Sequence, residues 1–168
     1  MKQKTISRTI LLILLIAVMV AVFVFSHQPA DVSSQVSGGL IYRFLSFIVG
    51  GFDSLSESER AEMINSLQYV VRKGAHAFIY TVMGALSMGL MATFGFKKRW
   101  SPCAVAFLVC FLYSISDEVH QTFVAGRSGQ VSDVILDSCG AFFGIAVVTF
   151  FIFIARKRRQ RRNITEKV

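Results

Sequence analysis

Residues 9–25 run for 17 positions without a charged side chain, directly after a Lys2, Lys4, Arg8 cluster. Three more apolar segments follow, at about 74–96, 101–121 and 131–155. Each is long enough for a helix to cross a bilayer core. The apolar part of the last, Ser138 to Ala155, is 18 residues, or about 27 Å at about 1.5 Å per residue. In lipid every backbone group must be satisfied within its own segment, which favours helices. These segments lack the inside-outside alternation of barrel strands.

Composition agrees. The chain has 168 residues, 54% of them hydrophobic and only 17% charged, against about 25% charged in soluble domains. Mean hydropathy is +0.57. There is too much apolar surface for a disordered chain, and too little polar surface to cover a soluble globule. Cys103, Cys110 and Cys139 all lie in apolar runs and read as small hydrophobes, not as a disulfide scaffold.

Val24-Phe25-Ser26 resembles a signal-cleavage context. The first run is longer than an ordinary signal core, so it is expected to remain as a transmembrane helix. Four spans place residues 1–8, the loop at Lys97-Lys98-Arg99 and the 156–168 tail on one side. That side carries 13 of the 18 basic residues and a net +12; the other carries 9 of the 10 acids and a net −4. The basic side is expected to be cytoplasmic, giving an N-in, C-in bundle with residues 9–155 as its membrane domain. The Arg156–Arg162 tail then acts as a stop-transfer anchor that can hold anionic head groups. It has no interleaved aromatics, so nucleic acid is not an expected partner.

Residues 26–71 lie outside by this topology. Pro29, Ser33, Ser34, Ser37, Gly38 and Gly39 predict a loop. Leu40 to Phe52 predicts a short interfacial or re-entrant helix ended by Gly50-Gly51. Ser56 and Glu59 form a capping box for a further helix, with Ala61, Ile64, Leu67 and Val71 at helical spacing. That helix can run into the second span.

Ionisable groups at membrane depth are costly and mark functional sites by default. Here they form stripes. Arg72, His76, Tyr80, Met83 and Ser87 step by three or four along the second span. Tyr113, Asp117, His120 and Gln121 share a face of the third, with Glu118 to one side. Asp133 and Asp137 are i, i+4 on the fourth, and Gly140 and Gly144 continue that face as a packing seam. The ionisable members all fall toward the outer ends, so three helices are expected to point polar faces at one outward-opening site. Candidate catalytic residues are His76, Asp117, Glu118, His120 and Asp137; candidate ligand-binding residues are Arg72, Lys73, Tyr80, Gln121, Arg127 and Asp133.

These residues carry a family pattern. Phe25-Ser26-His27-Gln28-Pro29, then Arg72-Lys73-Gly74-Ala75-His76 with Tyr80, then residues 117–129, DEVHQTFVAGRSG, resemble a VanZ-like domain. Asp133, Asp137 and Gly140 to Gly144 follow in the same order, and the resemblance covers about residues 10–155. Ala77, Ile79 and Ala125 stand where the family often has Phe, Glu and Pro. The resemblance implies a small bacterial cytoplasmic-membrane protein associated with resistance to teicoplanin, a lipid-bearing glycopeptide.

Three functions fit. The first is binding or remodelling of an anionic envelope lipid, a lipid-linked cell-wall precursor or a lipoglycopeptide. Arg127, Arg72 and Lys73 would meet a phosphate or carboxylate. The second is a membrane hydrolase or transferase with His76 or His120 as base. Its metal-assisted version would use Asp117, His120 and His76. Two histidines and several acids are no specific metal signature, so no metal or cofactor is expected. No G-x-S-x-G, H-E-x-x-H or P-loop is present. The third is a structural or partner-binding subunit, using the small-residue faces Gly140 to Gly144 and Ala85 to Gly89. Charge at only one end of the spans and the lack of a broken-helix pair argue against transport.

Overall fold

The computed structural model describes residues 2–165, with side chains from 5 to 163. Lys2 and Lys4 side chains, and Glu166 and Lys167, all used in the charge count, lie outside the described residues. The elements are α1 (Lys2–Ser26), α2 (Ala30–Ile48), a 3-10 turn (Phe52–Ser54), α3 (Glu57–Ala92), α4 (Ser101–Gln121) and α5 (Val131–Thr165). Four helices, all but α2, are long and apolar enough to span a bilayer. Only 17% of the most apolar window of α1 is buried within the protein. Leu12, Ile16, Leu108, Leu112, Phe143 and Phe150 are likewise exposed. Such helices, apolar on all sides, are solvated by lipid.

α3 contacts every other helix and forms the bundle's axis. Its partnership with α5 is set by glycine. A Cβ on Gly84 would collide with the Ala141 carbonyl, one on Gly140 with the Ala77 carbonyl, and one on Gly144 with the Thr81 carbonyl. Without those side chains the two backbones touch, as small-residue seams in membranes allow. Tyr80, Met83, Leu15, Val22 and Cys110 fill the space between α1, α3 and α4. Met88, Ala106 and Ile145 close the opposite end.

α3 has 36 residues, about 54 Å of helix, and so exceeds a bilayer core by several turns. Its start is the capping box: Ser56 Oγ accepts from Glu59 N, and Glu59 Oε2 accepts from Ser56 N at 2.9 Å. The span expected at residue 74 is thus the continuation of this helix. It stops at Ala92, four residues before the expected Phe96. Arg8 donates there to Thr93 O at 2.6 Å and Thr93 Oγ1 at 3.1 Å, tying α1 to α3.

The expected loop at 30–39 is instead the first half of α2. Asp31 stands in the first turn, where the helix dipole favours an acid. Ser37 Oγ donates to the Ser33 and Ser34 carbonyls, and Gln68 Nε2 on α3 donates to Ser34 O at 2.7 Å. Of the serines that suggested a loop, Ser37 thus turns its side chain to the helix backbone, and Ser34 offers its carbonyl to α3. Gly38 gives room for Gln68. α2 ends at Ile48, and Gly51 turns the chain at φ 83°. Ile41, Leu45 and Phe52 pin this segment against Met63 and Ile64 of α3. At α4, Trp100 occupies the cap, Ser101 is already helical, and Pro102 stands in the first turn, where its missing N–H costs nothing. α5 runs past Ala155 through the basic tail. Cations suit a helix C-terminus.

Candidate functional site

The glycine seam fixes the site. Because Ala77 O lies against Gly140, the neighbouring His76 and Tyr80 of α3 face Asp137, one turn before Gly140 on α5. His76 Nδ1 is 4.0 Å from Asp137 Oδ2. α4 adds Asp117, so one ligand atom each from His76, Asp117 and Asp137 lies within 4.8 Å of the others. Asp137 is fully buried, Asp117 and Glu118 nearly so, and His76 half-buried.

Gln121 organises the acids. Its Nε2 donates to Asp117 Oδ2 and Glu118 Oε1, each at 3.2 Å, and to Ser26 Oγ at 3.4 Å. Its Oε1 accepts from Arg127 Nη1 at 3.4 Å. Arg127 also donates from Nε to Gln28 O at 2.9 Å and from Nη2 to Phe25 O at 3.3 Å. It thereby caps the carbonyl end of α1, where a cation is favoured. Burial, with Arg72 nearby, lowers the Arg127 pKa from its ordinary value.

The turn carrying Arg127 depends on two glycines. Gly126 sits at φ 72°, a left-handed conformation natural to glycine. A side chain on Gly129 would meet Glu118 O and Thr122 Cγ2. The loop is further held by Ala30 N donating to Ala125 O at 3.2 Å. Glu118 Oε2 accepts from Gln130 N at 2.8 Å, which explains why this residue, expected off the polar face, is buried. Lys73 pairs with Asp133 and joins α3 to α5 at the rim.

His120 takes a different position. Its Nε2 lies 3.2 Å from His27 Nδ1, and its ring packs on Phe23 with centroids 4.6 Å apart. It is not part of the His76, Asp117 and Asp137 cluster. His27, Ser26 and Ser114 were not among the expected site residues. Ser114 lies three residues before Asp117 on the same face, and Ser26 and His27 belong to the quoted Phe25–Pro29 segment, so each had a sequence signal.

Two cavities adjoin His76. The polar one, about 230 Å³, is lined by Arg72, Lys73, His76, Gln121, Arg127 and Asp133 among others. The second, about 350 Å³, lies between α1, α2 and α3 and has a mainly apolar wall of Val22, Phe25, Val36, Leu40, Val71 and Ile79. Arg72, His76 and Arg127 line both. Arg72 forms no ion pair or hydrogen bond among the described residues, so its charge is available to a ligand.

Four apolar spanning helices around a polar, buried cluster define a polytopic helical membrane protein. A family model described as VanZ/LLP1 matches residues 11–153, and the chain belongs to the VanZ/LLP1 family. No curated protein and no solved structure matches it.

Proposed function

We propose that the protein binds an anionic envelope amphiphile, a phospholipid, lipid-linked precursor or lipoglycopeptide, and presents or remodels it. The observation that carries this reading is the sharing of Arg72, His76 and Arg127 between a polar and an apolar cavity. A phosphate or carboxylate head would meet the two guanidiniums, whose forked donors suit planar anions. An acyl chain would lie along Val22, Val36, Leu40 and Ile79. Gln121 holds Arg127, and Lys73 and Asp133 pair at the rim, while Tyr80 lies deeper beside Asp137.

The basic side of the bundle is assigned to the cytoplasm by its charge excess, which directs the site outward. α2, with Leu40, Phe44, Phe47 and Ile48 exposed, serves as an interfacial helix at the outer leaflet. The family's association with teicoplanin resistance fits a ligand that carries a lipid chain. The test is mass spectrometry of lipid retained by protein purified from the membrane. Arg72→Ala and Arg127→Ala are expected to lose at least tenfold of bound anionic lipid; unchanged retention in both rejects the reading.

A second reading, a membrane hydrolase or transferase, is favoured by the buried His76, Asp117 and Asp137 cluster beside the ligand space. Lipid profiles of cells with and without the protein separate the two. A new or depleted species supports catalysis; an unchanged profile supports binding alone.

A further inference from the structure

Among the described residues, three buried carboxyl oxygens have no hydrogen-bond partner, Asp117 Oδ1 and Asp137 Oδ1 and Oδ2, and the buried Tyr80 Oη and Ser114 Oγ beside them have no partner beyond each other. They belong to four neighbouring residues between α3, α4 and α5. Every other buried side-chain nitrogen and oxygen among the described residues is paired, so the deficit has one location. Two of the four are carboxyl groups, and an ionised carboxylate costs far more to bury without partners than a hydroxyl does.

Protein cations do not meet the deficit: among the described residues Arg72, though unengaged, forms no ion pair with either aspartate. Lys73 is engaged with Asp133 at the rim. Arg127 is engaged with Gln121 and with two backbone carbonyls. The one basic group at the cluster is His76, 4.0 Å from Asp137 and outside hydrogen-bond range. An imidazole nitrogen and two carboxylate oxygens lie within 4.8 Å of one another, against about 3.3–3.6 Å between ligands of a tetrahedral ion with bonds of about 2.0–2.2 Å, so they must close by up to about 1.5 Å to bind one. A rotamer adjustment draws them in, and the glycine seam keeps the helices carrying His76 and Asp137 in register.

We propose that His76, Asp117 and Asp137 bind a divalent transition-metal cation, Zn²⁺ or Mn²⁺, behind the polar cavity. The mixed nitrogen and oxygen set suits these ions, whereas Mg²⁺ prefers an all-oxygen octahedron. Ser114 and Tyr80 offer further oxygens. His76 lines both cavities, so the ion faces the space where an anionic head group would enter. A cation there neutralises the two aspartates and supplies a Lewis acid at that position. The site stands on its own geometry and does not require the lipid-binding reading.

The test uses full-length protein in detergent, stripped with chelator, then given Zn²⁺ or Mn²⁺ alone and desalted. Metal content and thermal midpoint are read. Wild type is expected to retain about one ion per chain and to melt at a higher temperature with the ion than without. Asp137→Asn and Asp117→Asn are each expected to weaken binding at least tenfold, whereas His120→Ala, which removes half of the rim histidine pair, retains it. Arg127→Ala is expected to lose lipid and keep the metal, which separates this proposal from the lipid reading. Wild type that retains neither ion and shows no thermal shift overturns the proposal, as does Asp137→Asn binding like wild type. If the aspartate variants do not fold, X-ray absorption of the Zn²⁺-loaded wild type decides. One nitrogen with oxygen ligands supports the site; sulfur or two imidazoles rejects it.

Discussion

The two ends of the bundle use the same helices and treat charge in opposite ways. At the basic end, Arg8 is engaged by Thr93 O and Thr93 Oγ1 and its guanidinium lies 4.5 Å over the Phe94 ring. Cys103 and Thr149 meet at 3.6 Å nearby. At the other end, Asp137 is fully buried without a hydrogen bond, and Asp117 uses only one of its two oxygens. At the first end these contacts are answered within the bundle, and further cations, Lys98, Arg99, Arg156 and Lys157, line an open cavity of about 500 Å³. The second leaves buried carboxyl oxygens without hydrogen-bond partners, the feature on which the proposed site rests.

The largest expected effect breaks what the two ends share. Gly144→Leu drives a side chain into the Thr81 carbonyl and separates α3 from α5. It should cost about 3 kcal/mol or more, the upper range for overpacking, and both ends should fail together. Thermal unfolding in detergent reads the stability, and lipid retention reads the site. Arg8→Ala should destabilise by about 1–3 kcal/mol through loss of charged hydrogen bonds, and leave lipid retention unchanged. Equal loss of retention would erase the distinction between the ends.

Asp137→Asn should do the reverse. In chelated protein it removes no hydrogen bond, so thermal stability should fall by less than about 1 kcal/mol, while ligand-dependent stabilisation disappears. A large fall in the chelated state would make Asp137 a structural residue. Lys73→Met should have the smallest effect, about 1 kcal/mol or less, because its pair with Asp133 is partly exposed.

The parts of this architecture that follow a helical period were legible in the sequence. His76 and Tyr80, Asp133 and Asp137, and Gly140 and Gly144 each fall on one face at intervals of four, and the structure places them between the helices. Apolar runs announced the four long helices for the same reason. What depended on the tertiary fold was not legible. Ser33, Ser34, Ser37, Gly38 and Gly39 carry loop composition, yet a helix forms there because Gln68 and α3 receive it. Glu118 stands off the stripe on its own helix and is buried only because the turn at Gln130 folds back on it. His120 sits on the stripe but turns to His27, a partner 93 residues away that no spacing rule connects.

The end bearing His76, Arg72 and Arg127 is where we propose that an amphiphile enters. Photo-crosslinking tests this most directly, using an anionic phospholipid with a diazirine near its head group in nanodiscs. The predicted result is labelling concentrated in residues 22–30 and 71–79, competed by excess unlabelled anionic lipid and strongly reduced in Arg127→Ala. Labelling spread evenly over the lipid-facing surfaces of α4 and α5, identical in wild type and variant, would contradict it.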